Sequence, residues 1–314
     1  IVILQLCVGG FLIIFMDEVV QKWGFGSGVS LFIAAGIAWR LFAQLFQFIG
    51  TQGTIEPIGK VLVIVQSLIS GDPTGTTRAL FPIIVTVVLF LIVVWAQSLK
   101  VEIPLSFDRV RGYGIKWPLQ FFYAGVIPVI FVSALTSTFQ MIASFMQNWL
   151  GYATFLGEFV NGRPVSGFAF WIHSTPILEP LITGSFRMIY LLQGLGHILF
   201  YMSLSVLFAY FWVNTSGQDA ASQAQNILKS GLRIPGFRRA ERVLETILKR
   251  YVGPLTVMGG AAIGLLASSA NLLGALVGGT AILLAIMIMY QFYQNIAQQH
   301  AIDMNPALRG FFGG

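Results

Sequence analysis

Stretches free of Asp, Glu, Lys and Arg recur along the chain at 1–16, 79–99, 117–157, 188–218 and 251–302, each dense in Leu, Ile, Val, Phe, Ala and Gly. A bilayer core is about 30 Å thick, and a helix rising about 1.5 Å per residue needs about 20 apolar residues to cross it. The pattern predicts seven membrane-spanning helices, at 1–16 (truncated), 28–49, 79–98, 119–147, 188–213, 253–270 and 275–297, and hence an all-α polytopic membrane protein. The run 251–302 is too long for one span, and Ser268-Ser269-Ala270-Asn271 with Gly278-Gly279 brackets the turn that divides it. A shorter apolar stretch, 58–70, begins after Pro57 and stops at Gly71-Asp72-Pro73, which suits an interfacial helix.

Two polar intervals break the apolar pattern. In 99–118, apolar Val101, Ile103, Leu105 and Phe107 alternate with polar neighbours, which predicts a short β-hairpin with Arg109 and Arg111 near its tip. The interval 214–252 reads as a helix over 218–230, a break at Gly231 and Pro235-Gly236, and a second helix over about 237–250. Asp219 suits the N-terminal dipole of the first helix. In the second, Val243, Leu244, Ile247, Leu248 and Tyr251 share one face, with basic residues on the rest.

Charge then orients the spans. Of the 18 Lys and Arg residues, 13 fall in the intervals 17–27, 99–118 and 214–252 or after 297, and four fall on the other side. By the positive-inside rule the richer side is cytoplasmic, which puts the C-terminus in the cytoplasm of a multi-pass cell (plasma) membrane protein. The interval 214–252 carries seven basic and three acidic residues. Its charge fits two readings: a topology signal attracted to anionic lipid, or a docking arm for a polyanion such as ribosomal RNA. Arg40 is the one charge within a span, where it can snorkel to the headgroups.

Composition narrows the chemistry. The chain is 56% hydrophobic and 10% charged, against about 25% charged in soluble domains. An ion-coupled transporter, the main alternative, needs ionisable groups in its spans, and these spans are nearly empty of them. One cysteine, Cys7, excludes an internal disulfide framework and a Cys-based metal site. His173, His197 and His300 are scattered over a loop, a span and the tail, without metal spacing, and no phosphate-binding loop is present. The reading is therefore of a non-enzyme with no cofactor and no metal, and His197 is expected to be a packed, hydrogen-bonded histidine.

Several segments together carry a resemblance. They are Asp17-Glu18-Val19-Val20, Gly26-Ser27-Gly28-Val29-Ser30-Leu31-Phe32-Ile33-Ala34-Ala35-Gly36, Val101-Glu102-Ile103-Pro104-Leu105, Arg109-Val110-Arg111-Gly112, Gly125-Val126-Ile127-Pro128-Val129-Ile130, Pro235-Gly236-Phe237-Arg238, Lys249-Arg250-Tyr251, Pro254-Leu255-Thr256-Val257 and Gly274-Ala275-Leu276-Val277-Gly278-Gly279-Thr280. In this order they resemble the SecY family of protein-conducting channels, most of all its archaeal and eukaryotic branch.

The resemblance implies that the spans are helices four to ten of a ten-helix channel. Residues 1–49 would close its N-terminal half, 50–78 would be an extracytoplasmic loop with a short helix, and 79–314 would form the C-terminal half. It implies a translocation pore that passes unfolded polypeptides and releases membrane segments sideways into lipid. The aliphatic pore ring would be Val29, Ile33, Ile130 and Leu284, the last within Ile282-Leu283-Leu284. Ribosome docking would fall to Arg109, Arg111, Arg238 and Arg239, and Pro128 would kink the helix beside the lateral gate. The implied partners are SecE/gamma-type and Sec beta-type small membrane subunits, the ribosome, nascent polypeptides with signal sequences, and membrane lipid. Because the chain opens inside an apolar run without Met, it is expected to be the later part of a longer protein.

Overall fold

The computed structural model describes residues 1–23, 27–48, 58–107, 114–160, 162–229, 232–233 and 241–304. In chain order they form α1 (Val2–Trp23), α2 (Gly28–Phe46), α3 (Lys60–Ser70), α4 (Pro73–Ser98), β1 (Lys100–Phe107), β2 (Gly114–Gln120), α5 (Ile127–Leu150), β3 (Glu158–Val160), β4 (Arg163–Ser166), α6 (Phe168–Ile172), α7 (Leu178–Ile182), α8 (Met188–Thr215), α9 (Ala220–Lys229), β5 (Leu232–Arg233), α10 (Glu241–Leu272) and α11 (Gly279–Met304). Among the described residues, seven helices are long and apolar enough to cross a membrane: α1, α2, α4, α5, α8, α10 and α11. Packing divides the chain into two compact units, residues 1–62 with 284–314, and residues 63–283.

The seven spans stand where the apolar pattern predicted them, but their ends move for physical reasons. α1 continues through the polar segment after 16, held by i,i+4 pairs: Lys22 Nζ to Glu18 Oε1 at 2.6 Å and Gln21 Nε2 to Asp17 Oδ2 at 2.7 Å. α4 starts earlier, at Pro73, because Asp72 caps it: its Oδ1 accepts from the Thr74 amide at 3.0 Å. α5 starts at Ile127 rather than 119, since 114–120 is strand and Gly125 turns the chain with φ of +66°. Pro128 therefore lies in the first turn of α5, where its missing N–H costs no helix bond. The kink expected at Pro128 is not there. Among the described spans, Pro82 in α4 and Pro254 in α10 are the prolines beyond the first turn.

In the larger unit, α8 and α10 form the tightest seam. A Cβ built on Gly260 would lie 2.9 Å from the Ala209 Cβ, and one on Gly264 would lie 2.9 Å from both the Ser205 Cβ and the Tyr201 carbonyl oxygen. These glycines, four apart, let the two backbones approach closely, and lipid-embedded helices associate through such contacts. Ser205 is buried in the seam, and its Oγ donates to the Gly260 carbonyl at 2.8 Å.

At one end of this unit the hairpin forms as its alternation predicted. β1 and β2 pair antiparallel, with Val101 opposite Leu119 and Ile103 opposite Trp117. Ile103 and Leu119 are buried, while Lys116 Nζ meets Glu102 Oε2 at 2.6 Å on the wet face. Sequence did not foresee β5, which pairs with β1 at Ser106–Arg233 and Phe107–Leu232 to give the order β2-β1-β5. Nor did it foresee that the helix expected at 237–250 and the span 253–270 are one helix, α10, running through Pro254. Of the face predicted on its first turns, Leu244 and Leu248 are buried, but Tyr251 is exposed.

Candidate functional site

The residues matched to a pore ring lie on three helices. α2 begins with Ser27 as its N-cap in extended conformation (φ −83°, ψ 126°), and the Ser27 Oγ accepts from the Ser30 amide at 3.5 Å. Gly28 follows at a close crossing with α1: a Cβ there would stand 2.8 Å from the Asp17 Cα. Only glycine fits that approach. It places Val29 at the second helical position and Ile33 one turn later on the same face. Both side chains are partly open, Val29 at 39% and Ile33 at 41%.

Leu284, on α11, belongs to the same unit as Val29 and Ile33 and is half-buried, while its neighbours Ile282 and Leu283 are buried. That difference favours Leu284 over the other two as a side chain free to line a passage. Ile130, half-buried near the start of α5, belongs to the other unit. Within the first unit, Ser27 and Ser30 face Gln291, Phe292 and Asn295 of α11 across a cavity of about 30 Å³. That is room for one water, and the side chains around it are mostly polar but uncharged.

Arg109, Arg111, Arg238 and Arg239 lie outside the described residues. The elements that flank them in sequence are described, and the structure brings these together. Ile103 and Leu119 of the hairpin, Ala224 and Ile227 of α9, and Leu244, Leu248 and Leu255 of α10 share one hydrophobic core. Tyr123, just past β2, donates from its hydroxyl to the Gln218 carbonyl at the α8–α9 corner. Burial, and then the charge of Asp219, push the Tyr123 hydroxyl up to about 12, so it stays a neutral donor at physiological pH. Asp219, expected within the first turn as a charge suited to the helix dipole, stands just before α9 and accepts at Oδ2 from the Ser222 amide at 3.3 Å.

At the opposite end of the larger unit, the segment between α5 and α8 is tethered by side chains. Gln147 imitates a strand neighbour to Phe159, accepting its amide at 2.5 Å and donating to its carbonyl at 3.0 Å. Gln193 donates to the Phe170 and His173 carbonyls at 2.8 and 3.2 Å, and His197 Nδ1 meets the Ile172 carbonyl at 2.5 Å. His197 is thus a buried tether, as its setting in a span suggested.

Comparison with known proteins places this architecture. A family profile described as SecY matches residues 1–293. The protein translocase subunit SecY of Methanothermobacter thermautotrophicus is 40% identical over 319 residues, which cover 100% of this chain and 68% of that protein. The SecY of Haloferax volcanii is 38% identical, covering 98% of this chain and 67% of its own length. Among solved structures, that of a protein-conducting channel superposes with a TM-score of 0.73 at 35% identity, over 96% of this chain and 65% of that one. Sec61 in a canine ribosome–channel complex from the endoplasmic reticulum gives 0.70 at 33% identity, again over 96% and 65%. The chain thus spans about two thirds of the length of the proteins it matches.

Proposed function

The chain belongs to the SecY family, and from that premise we propose that it is the pore-forming part of a protein translocation channel, not an enzyme. It passes unfolded polypeptides across the membrane and releases membrane segments sideways into lipid. The observation that carries this reading is the match of the whole chain, at 40% identity, to the protein translocase subunit SecY of Methanothermobacter thermautotrophicus. The long runs free of Asp, Glu, Lys and Arg fit it and offer the transporter alternative no carboxylates.

In this reading Val29, Ile33, Ile130 and Leu284 form the constriction. An apolar, deformable ring admits a chain of any sequence and resists ions by shedding water. Two of the four also fit by exposure: Val29 and Ile33 are open on their helix, while Ile130 and Leu284 are half-buried. Arg109, Arg111, Arg238 and Arg239 dock the ribosome. What supports this is that the described elements flanking these loops in sequence, β1, β2, α9 and α10, share one hydrophobic core. The docking side is cytoplasmic, the C-terminus lies on it, and the membrane is the cell membrane. SecE/gamma-type and Sec beta-type subunits, the ribosome, signal-bearing nascent chains and lipid are the partners.

The test is a translocation assay on the complete protein in proteoliposomes, with a photocrosslinker at Val29 or Ile33. A signal-bearing chain stalled in transit should become protease-protected and crosslink at both positions. No protection and no crosslink would sink the reading. Charge reversal at Arg111 or Arg238 should weaken ribosome binding, and binding should fall steeply with salt, because the contacts are to phosphates.

A further inference from the structure

The residue that holds the start of α2 is not on α2. Asp17, half-buried near the end of α1, points its Oδ1 at the first turn of α2 and accepts from the Val29 amide at 3.0 Å. The Ser27 hydroxyl donates to the same oxygen at 3.4 Å. The other carboxylate oxygen, Oδ2, accepts from Gln21 Nε2 at 2.7 Å, which fixes the rotation of the group. Two of α2's first free amides are thereby satisfied, Val29's by Asp17 and Ser30's by Ser27. A carboxylate is also the favoured charge at a helix N-terminus.

Resting on the pore reading above, we propose that Asp17 is a positioning residue of the constriction: through its bond to the Val29 amide, and the close crossing at Gly28, it sets where Val29 and Ile33 stand in the closed pore. The bond is made to the backbone of a ring residue itself. Ile33 lies one turn farther on the same face, so any fraying or tilt of the first turn carries both side chains with it. Gly28 is the second half of the clasp. Its missing Cβ lets the Asp17 backbone come near enough for the carboxylate to reach Val29. An aspartate at a helix end on a bilayer surface would otherwise be an ordinary solvated charge. This one is occupied on both oxygens, and one of them holds a pore residue.

The experiment records resting-state opening of the complete protein in planar bilayers. It compares wild type, Asp17→Ala, Asp17→Asn, Gly28→Ala and, as reference, Ile33→Gly. Salt-dependent ribosome binding and the thermal midpoint are measured on each. Asp17→Ala should raise the frequency of resting openings about tenfold, the equivalent of about 1.4 kcal/mol for one lost charge-assisted bond. Asp17→Asn should stay near wild type, since its amide oxygen still accepts from Val29. Gly28→Ala should leak like Asp17→Ala, and ribosome binding should not change in any of them. A general loss of stability would instead lower the thermal midpoint and ribosome binding together. If Asp17→Ala is quiet while Ile33→Gly leaks, the proposal is overturned and the pore reading stands. If both are quiet, the pore reading falls and this proposal with it. Equal leak in Asp17→Asn and Asp17→Ala would overturn the clasp, because only charge would then matter. Should Asp17→Ala fail to accumulate, Asp17→Asn and Gly28→Ala decide: a leaky Gly28→Ala beside a quiet Asp17→Asn supports the clasp, and any other pairing overturns it.

Discussion

α1 and α10 are both long spans with adjacent glycines, yet within this chain they are covered very differently. α10 buries a continuous stripe from Leu244 to Leu272, while no residue of α1 is buried. Gly9 and Gly10 of α1 have open space where a side chain would go; Gly260 and Gly264 of α10 have the backbone of α8. In water, apolarity alone would drive a helix inward. In lipid the tails are as apolar as leucine, so the depth at which a helix packs is set by small residues that meet a matching partner and by polar groups that need one. Hydropathy marks a span without saying whether another helix covers it.

That contrast can be broken most forcefully at the glycines. Gly264→Leu would push a side chain into the Tyr201 carbonyl and the Met202 backbone, neither of which can swing aside. We expect a loss of about 3 kcal/mol or more, seen as failure to accumulate or a collapsed thermal midpoint in detergent. In the 314-residue chain, where nothing stands near Gly10, Gly10→Leu on α1 should leave the midpoint within error. Equal tolerance at the two sites would end the comparison.

A smaller effect tests the polar half of the rule. The Thr86 hydroxyl accepts from the Leu276 amide at 3.0 Å, in the turn between α10 and α11. Thr86→Val keeps the shape and leaves that amide without its partner, at a cost of about 1–3 kcal/mol. Its midpoint should fall by several degrees. Ser205→Ala should cost less, about 0.6 kcal/mol, because bonds between helices in lipid replace others available to the separated helices.

The smallest effect concerns the tethered segment between α5 and α8. His173 is held below its usual 6.5, first by burial and then by the Arg163 charge. Its neutral form is the one the fold favours. The stability it contributes is therefore present above pH 6.5 and is lost as pH falls through the lower folded value. Limited proteolysis within 150–187 should quicken on acidification, and His173→Gln should flatten that dependence.

These contrasts also explain how much could be read beforehand. The existence of seven spans followed from the absence of charge, because burying an ion in hydrocarbon is so costly. Their ends did not follow, because a helix gains backbone bonds whether or not it is still in lipid. α1 runs on through Asp17 and Glu18, and α10 reaches beyond Pro254 to Glu241. The hairpin was legible in its alternation, whereas β5, only Leu232–Arg233, is too short to leave a period. Pro128 misled because its meaning depends on where the helix begins. Of the candidate site, the ring was named by resemblance alone, since an aliphatic residue that lines a passage looks in sequence like one that packs. The Asp17 clasp joins residues 12 apart across two helices, and no spacing rule points to it.

The shared core beneath the two basic loops has a mechanical meaning. A loop that flexes at its root absorbs a tug locally. These loops have a common root: β1 bonds to both β2 and β5, and Leu244 and Leu248 of α10 seal the underside. The described sheet beside them is thereby fixed to a single shaft. That shaft is α10, which runs without interruption from Glu241 to Leu272 and presses its glycines against α8. Torque applied to the β2-β1-β5 sheet is therefore delivered along the helix to the α8–α10 seam.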